Sequence, residues 1–258
     1  MNSTAAPATS LLRLVGVGCR FGGLAALSDV TLDVAAGERR AVLGPNGAGK
    51  TTLFNVISGD LSATSGTIEF EGRDVSRLSS PLRARLGMSR TYQKSRLFSG
   101  LTVEQNLYLS ALGASGGHMR PIPVRRSDAP LYEQARGLAR GVGLAGRERR
   151  LVRDLSHGEQ RQLEVAMAQA GEPTLMLLDE PASGLSRGER VALTELLLGL
   201  DARLTLVLIE HDMDVALRVA ERVTMMHEGR VIVEGTPDEI RASTVVHDLY
   251  LGTAAARG

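Results

Sequence analysis

The stretch Gly44-Pro45-Asn46-Gly47-Ala48-Gly49-Lys50-Thr51-Thr52 constrains this chain more than any other. It fits the pattern G-x-x-x-x-G-K-[ST], a loop whose backbone N–H groups cradle phosphate. The apolar run Ala41-Val42-Leu43 leads into it, and a helix-compatible segment, Thr52 to Ser58, follows. That strand–loop–helix context is what the motif requires. Glycines let the backbone curl so that successive N–H groups face an anion, and the following helix adds the positive end of its dipole. On this pattern Lys50 reaches the β- and γ-phosphates and the Thr51 hydroxyl sits on Mg²⁺. The competing reading is a glycine-rich turn with a chance lysine. Lys50 and Lys94 are the only two lysines among 30 basic residues. A random match is therefore on the order of one in several hundred. A compact ammonium also fits such a nest where a planar guanidinium does not.

The chain as a whole narrows the alternatives. Its 258 residues allow one large domain or two small ones with a substantial core. A net charge of +1 gives no footprint of a strongly basic nucleic-acid binder. The longest apolar runs, such as Leu206-Val207-Leu208-Ile209, are far too short to span a bilayer. Met1 to Ser10 is small and polar, reads as a disordered tail, and is not expected to be a signal peptide. One cysteine, Cys19, leaves no internal disulfide and fits a reducing cytoplasm; a structural thiol is its default role.

Along the chain, Leu12, Leu14 and Val17, then Val30, Leu32 and Val34, read as strands of an antiparallel sheet. Between them lies Phe21, which could stack on an adenine or be a core ring. Gly66 to Gly72 alternates as a strand and turn, and Ser79-Ser80-Pro81 opens a helix. Gln93 is expected to end a strand and begin a helical segment, whose clearest pattern runs from Thr102 to Leu112. Gly113 to Pro130 shifts to glycine, proline and arginine and reads as an exposed loop, with a helix from Leu131 to Val142 behind it. Arg147, Arg149, Arg150 and Arg153 read as a solvated face; a lipid-headgroup role has weaker support.

Two runs matter most. Leu155-Ser156-His157-Gly158-Glu159-Gln160 opens a helix reaching Ala170. Leu175-Met176-Leu177-Leu178-Asp179-Glu180-Pro181 and Leu204 to Ile209 with Glu210-His211-Asp212 are continuously apolar runs that end in charge. Apolar residues at every position suit parallel strands buried on both faces. In open α/β sheets ligands lie beyond the carboxyl ends of the strands, so the phosphate loop, Asp179-Glu180 and His211 should converge. Two adjacent acids closing a buried strand need a cation or hydrogen bonds.

At this point the chain resembles the ATP-binding cassette family, the motor subunits of ABC transporters, from Phe21 to about Ile240. Gly44–Thr52 looks like Walker A, the 155–160 run like the signature LSGGQ, Gln93 like the Q-loop and His211 like the switch histidine. Val231 to Ile240 resembles the family's last strand, turn and helix. The resemblance implies an α/β fold of the P-loop NTPase type: a mixed, largely parallel core sheet, an antiparallel β subdomain and an inserted α-helical subdomain. It places one nucleotide-binding domain at 11–241, with a RecA-like core at about 11–92 and 172–241, helices at about 94–171, and a C-terminal helix and tail at 242–258. It implies ATP and Mg²⁺ as cofactors and two cassettes paired head to tail. Each ATP then lies between Gly44, Pro45, Asn46, Gly47, Ala48, Gly49, Lys50, Thr51 and Thr52 of one copy and Ser156 and Gly158 of the other. Phe21 becomes the adenine-stacking aromatic. Asp179, Thr51 and Gln93 serve the metal, Glu180 polarises the attacking water, and His211 contacts the γ-phosphate. Gln93 would link that site to a groove for a permease's cytoplasmic helix.

The chain departs from the family at His157, where glycine is usual, and at Ser186, where the D-loop has aspartate. Arg90-Thr91-Tyr92-Gln93, Leu97-Phe98, the LSHGEQ form and Tyr250-Leu251-Gly252 together resemble the ATPase subunit of branched-chain amino acid importers, some of whose relatives carry urea, amides or aromatic acids. That implies two transmembrane permeases, indirectly a periplasmic-type solute-binding protein, a second cassette, no nucleic acid, and a cytoplasmic location on the inner face of the plasma membrane. A soluble cassette acting on nucleic acid or the ribosome is disfavoured, since the chain has neither a second cassette nor a long heptad insertion. An inactive cassette is disfavoured because Lys50, Asp179, Glu180 and His211 are all present.

Overall fold

A computed structural model describes residues 10–93, 95–115, 129–246 and 249. Met1 to Thr9 of the proposed N-terminal tail, most of the 113–130 loop, and the C-terminal tail with Tyr250-Leu251-Gly252 lie outside the described residues; Ser10, expected in the tail, instead pairs with Ala35 in a strand.

The N-terminal alternation does produce an antiparallel sheet. Strands β1 (Ser10–Phe21) and β2 (Leu24–Ala35) form a hairpin, with Leu14 opposite Leu32 and Val17 opposite Val30. After β3 (Arg39–Leu43) and helix α1 (Lys50–Ser58), strand β4 (Ser65–Phe70) returns to β1, and β5 (Arg73–Asp74) completes the order β2-β1-β4-β5. The short α2 (Ser80–Arg85) starts where Ser79-Ser80-Pro81 predicts, although the Ser79 side chain makes no cap bond. Its Arg83 is fully buried and donates to the Val56 and Ile57 carbonyls at the end of α1, at 2.7 and 2.6 Å. A cation there satisfies carbonyls that the helix leaves unpaired.

The second sheet has the order β10-β9-β3-β8-β7-β6. Strands β6 (Met88–Arg90), β7 (Leu175–Asp179), β8 (Thr205–Ile209), β3 and β9 (Arg222–His227) run parallel, and β10 (Arg230–Gly235) closes the edge antiparallel. Every residue of β3, β7 and β8 is buried, which is why Ala41 to Leu43, Leu175 to Leu178 and Leu206 to Ile209 are apolar at every position. Their two faces feed separate cores. Val42, Leu175, Leu177, Val207 and Ile209 pack with α1 and the antiparallel sheet. Ala41, Met176, Leu178, Leu206 and Leu208 pack towards α6 (Arg187–Leu198), α7 (Met213–Val219) and α8 (Pro237–Ala242).

A third apolar cluster joins α3 (Val103–Ala114), α4 (Ala129–Gly141) and α5 (His157–Gln169) through Val103, Leu107, Ala135, Ala139, Leu163 and Ala166. Helix α3 starts at a capping box on Thr102 and runs past Leu112. Buried Asn106 interrupts its apolar stripe and bonds both the N–H and the carbonyl of Phe98. One expectation fails. Gln93 neither ends a strand nor starts a helix: β6 stops at Arg90 and α3 begins only at Val103. The β6 edge strand is three residues long because only Met88 to Arg90 pair with β7.

Candidate nucleotide site

The sheet order dictates the site. At the carboxyl ends, the loop after β3, the turn after β8, the turn after β7 and the segment after β6 stand side by side. Neighbouring strands are about 4.8 Å apart, and Asp179 is in register with Ile209, itself paired with Val42. Residues distant in sequence therefore meet at one edge.

The phosphate loop folds as its pattern predicts. Gly44 has φ 147°, and a Cβ there would lie 2.1 Å from the Met226 carbonyl oxygen. Gly49 has φ 97° and would place a Cβ 2.7 Å from the Ala26 oxygen on β2. Both positions thus combine a left-handed backbone with close approach, and only glycine fits. Helices α3, α5, α6 and α8 close their first turns with capping boxes, whereas no side chain caps α1. Its first N–H groups remain available to an anion. Lys50 is buried and donates to the Gly44 and Pro45 carbonyls at 2.6 and 3.0 Å. Burial lowers its pKa, and the nearby Glu180 and Asp179 charges oppose that. Thr51 is exposed, as are Asn46 and Gly47, while Thr52 is half-buried.

Gln93 and His211 each contact Glu180. Glu180 accepts from Gln93 Nε2 at 3.2 Å through one oxygen and meets His211 Nε2 at 2.5 Å through the other. Glu180 also has φ 50°, a sparsely populated conformation for a residue with a side chain. Its N–H is anchored to the Ile209 carbonyl at 2.9 Å. Glu210 supports this turn. It is 2 % exposed and accepts from Ala182 N–H at 2.7 Å and His211 N–H at 3.1 Å, while burial pushes its pKa up.

Asp179 is also 2 % exposed. One oxygen, Oδ2, is held by Arg90 at 2.9 Å; the other, Oδ1, has no hydrogen-bond partner. Burial pushes this carboxyl up, and Arg90 opposes the shift. An orphaned carboxylate oxygen beside an uncapped phosphate loop fits a divalent cation. Among the described residues no group of three or more His, Cys, Asp or Glu could hold a metal alone. Mg²⁺ takes one or two carboxylates and completes its shell with phosphate and water.

Phe21 sits at the tip of the β1–β2 hairpin, paired with Leu24 and half exposed, so it is not a core ring. Ser156 and Gly158 lie at the N-terminus of α5. Among the described residues their side-chain partners are Glu159 and Glu189, and no bond joins them to the phosphate loop. The two departures from the family pattern belong to one cluster here. Ser186 caps α6 in a box with Glu189, and the same carboxylate accepts from Gly158 N–H at 2.9 Å. A Cβ at Gly184 would lie 3.2 Å from His157 Nε2. Of the arginines read as a solvated face, Arg149, Arg150 and Arg153 are exposed, and Arg147 is half-buried and pairs with Glu159 at 2.6 Å.

An uncapped phosphate loop, an acid pair closing a buried strand and a histidine on the neighbouring strand end define a P-loop nucleotide-hydrolysing cassette. The ABC transporter family profile matches residues 27–183, and the chain belongs to that family. It is 36% identical over 251 residues to the high-affinity branched-chain amino acid transport ATP-binding protein LivG of Salmonella typhimurium, covering 95% of this chain and 98% of the relative. It is 34% identical over the same shares to BraF of Pseudomonas aeruginosa, a protein of the same description. A solved ATP-binding cassette of an ABC transporter in its ADP conformation superposes with a TM-score of 0.85 at 27% identity, covering 95% of this chain and 99% of that one. A nucleotide-free cassette gives 0.84 at 26% identity, covering 94% and 99%. The chain is an ATP-binding subunit of the transporter type and an ATPase.

Proposed function

We propose that this ATPase drives import of branched-chain amino acids or related small solutes, with each named residue acting as the family pattern implies. One observation carries the hydrolytic reading: a single carboxylate, Glu180, bonded at once by Gln93 and His211. In the working pair, Gly44 to Thr52 of one copy hold the triphosphate, Phe21 stacks on adenine, and Ser156 and Gly158 of the second copy close over the γ-phosphate. Lys50 exchanges its two loop carbonyls for phosphate oxygens. Mg²⁺, when bound, neutralises charge on the β- and γ-phosphates; Thr51, Asp179 and Gln93 are the groups that hold it. Glu180 orients water and takes its proton in the attack, and His211 contacts the γ-phosphate. Phosphoryl transfer asks for positioning and charge compensation, which these groups supply.

The three apolar clusters support a division into a core of about 11–92 and 172–241 with a helical subdomain of about 94–171. Among the described residues no helix is long and apolar enough to cross a membrane. A cavity of about 840 Å³ opens between α2, β6 and the helical cluster, lined by Arg85, Tyr92, Arg96, Leu97, Ser110 and Glu164 among others. This cavity is where a permease's cytoplasmic segment docks, holding the cassette at the inner face of the membrane. The full assembly then holds two cassettes and two permeases and is served by a periplasmic-type binding protein. The cargo assignment is taken from LivG and BraF, whose names state it. Uptake of labelled leucine, isoleucine and valine into proteoliposomes holding the chain, its co-encoded permeases and binding protein tests it. No ATP-dependent uptake of these or related solutes would reject the importer reading.

A further inference from the structure

We infer that Arg90 is the positioning residue for the metal carboxylate, stapling Asp179 to the helix that carries the phosphate loop. The inference rests on the proposed metal role of Asp179. In the β6–β7 ladder Arg90 is in register with Leu177, two residues before Asp179. Residues two apart on a strand share a face. Arg90 and Asp179 therefore lie on the α1 side of the sheet, with Met88, Leu175 and Leu177.

The guanidinium divides its two ends between two elements. Nη2 donates to Asp179 Oδ2 at 2.9 Å. Nη1 donates to Asn55 Oδ1 at 2.6 Å, Ser58 Oγ at 3.0 Å and Asp60 Oδ2 at 3.1 Å, all in or just after α1. Its faces are held by aromatic rings: it lies 5.8 Å from the Phe54 centroid and 4.9 Å from that of Tyr92. The side chain is 6% exposed, so these contacts act in a low-dielectric setting. One planar, always charged group thus fixes the end of β7 relative to α1, and α1 begins with Lys50 and Thr51.

The consequence is specific. Arg90 occupies Oδ2 and leaves Oδ1 as the unpartnered oxygen of Asp179. It also sets the spacing between Asp179 and Thr51, the two metal groups on different elements. A lysine keeps the charge but cannot reach in both directions at once. Arg90 acts through Asp179 and touches no reacting atom.

The test is a titration of Mg²⁺ into the full-length protein with a fluorescent ATP analogue, beside the same nucleotide titration in EDTA. Arg90→Gln should leave nucleotide affinity in EDTA near the wild-type value. It should raise the Mg²⁺ concentration at half-effect by about tenfold, the usual size of losing a group that orients a metal ligand. Arg90→Lys should fall between the two. Asn55→Ala removes one α1 anchor and leaves the Arg90–Asp179 bond in place; it should shift the midpoint in the same direction by less. If Arg90→Gln does not fold, the Arg90→Lys and Asn55→Ala midpoints decide. Wild-type midpoints in the folded variants would overturn the inference. So would equal losses of nucleotide binding with and without Mg²⁺, which indicate a merely structural role. A wild-type Mg²⁺ titration for Asp179→Asn would instead bring down the metal reading itself.

Discussion

Glu180 is held in a left-handed conformation with its backbone tied to β8 and its carboxylate between Gln93 and His211. Such strain persists only where the surroundings over-determine it, and it is concentrated at functional sites. Glu180→Gln keeps the side chain's size and loses the proposed base. Hydrolysis should fall by about 10²–10⁴-fold while ATP binding survives. If, as proposed, ATP joins two cassettes and hydrolysis separates them, size-exclusion with ATP and Mg²⁺ should show a dimer for the variant and mostly monomer for the wild type. Turnover at the wild-type rate would remove Glu180 from its role. Lys50→Ala takes away the one ammonium in the phosphate nest, and direct titration should find no tight ATP binding. The His157 ring packs toward Gly184. His157→Gly should therefore keep ATPase activity within about tenfold, or ~1.4 kcal/mol. A far larger loss in a folded variant would show that the imidazole serves the site.

Helices α5 and α6 are clipped together within one chain. Glu189 caps α6 through Ser186 and reaches across to the Gly158 N–H near the start of α5. Hydrogen bonds from Ser186, then Gly158, hold its carboxyl below the usual glutamate range. A depressed folded pKa stabilises above the unfolded value and is lost as pH falls through the folded one. Glu189→Ala should thus lower the melting temperature at neutral pH, and the difference from wild type should shrink as pH falls through the folded pKa of the carboxyl. Melting curves of both proteins from pH 7 downward would show it; a difference that stays constant with pH would mean the carboxylate's charge is not what holds the clip. The serine that replaces the D-loop aspartate thus has a local reason: Ser186 is an N-cap, and serine accepts from the N3 amide as aspartate would.

At the scale of the molecule, Gln93 lies on the segment between the β6 edge and the helical cluster. One end of that segment touches Glu180, and Tyr92, Arg96 and Leu97 line the groove proposed for the permease. A link biased at both ends is what coupling requires. The isolated subunit should hydrolyse ATP slowly and be stimulated by its permeases and a loaded binding protein. Gln93→Ala should lose most of that stimulation, while its basal rate falls less than that of Glu180→Gln, since Gln93 is one of several groups proposed around the metal. Paired ATPase and uptake assays in proteoliposomes measure both; equal stimulation of variant and wild type would refute the link.

The phosphate loop, the two all-apolar strands and the carboxylates and histidine that end them were legible because their signals are local. A glycine pattern, a run with no polar break and a terminal charge each occupy a few consecutive residues. The parallel-sheet rule then predicted their convergence. What tertiary structure decided depends on long-range contact. Arg90 reaches Asp179 across 89 positions, Gly158 meets Glu189 across 31, and Glu210 receives Ala182 across 28. No periodicity encodes such pairs. Phe21 could have been core or ligand platform until the hairpin tip left it exposed, and Gln93 could have ended a strand until β7 paired with only three residues of β6. Local chemistry set which groups this chain brings to its site; the order of strands in the sheet set which of them touch.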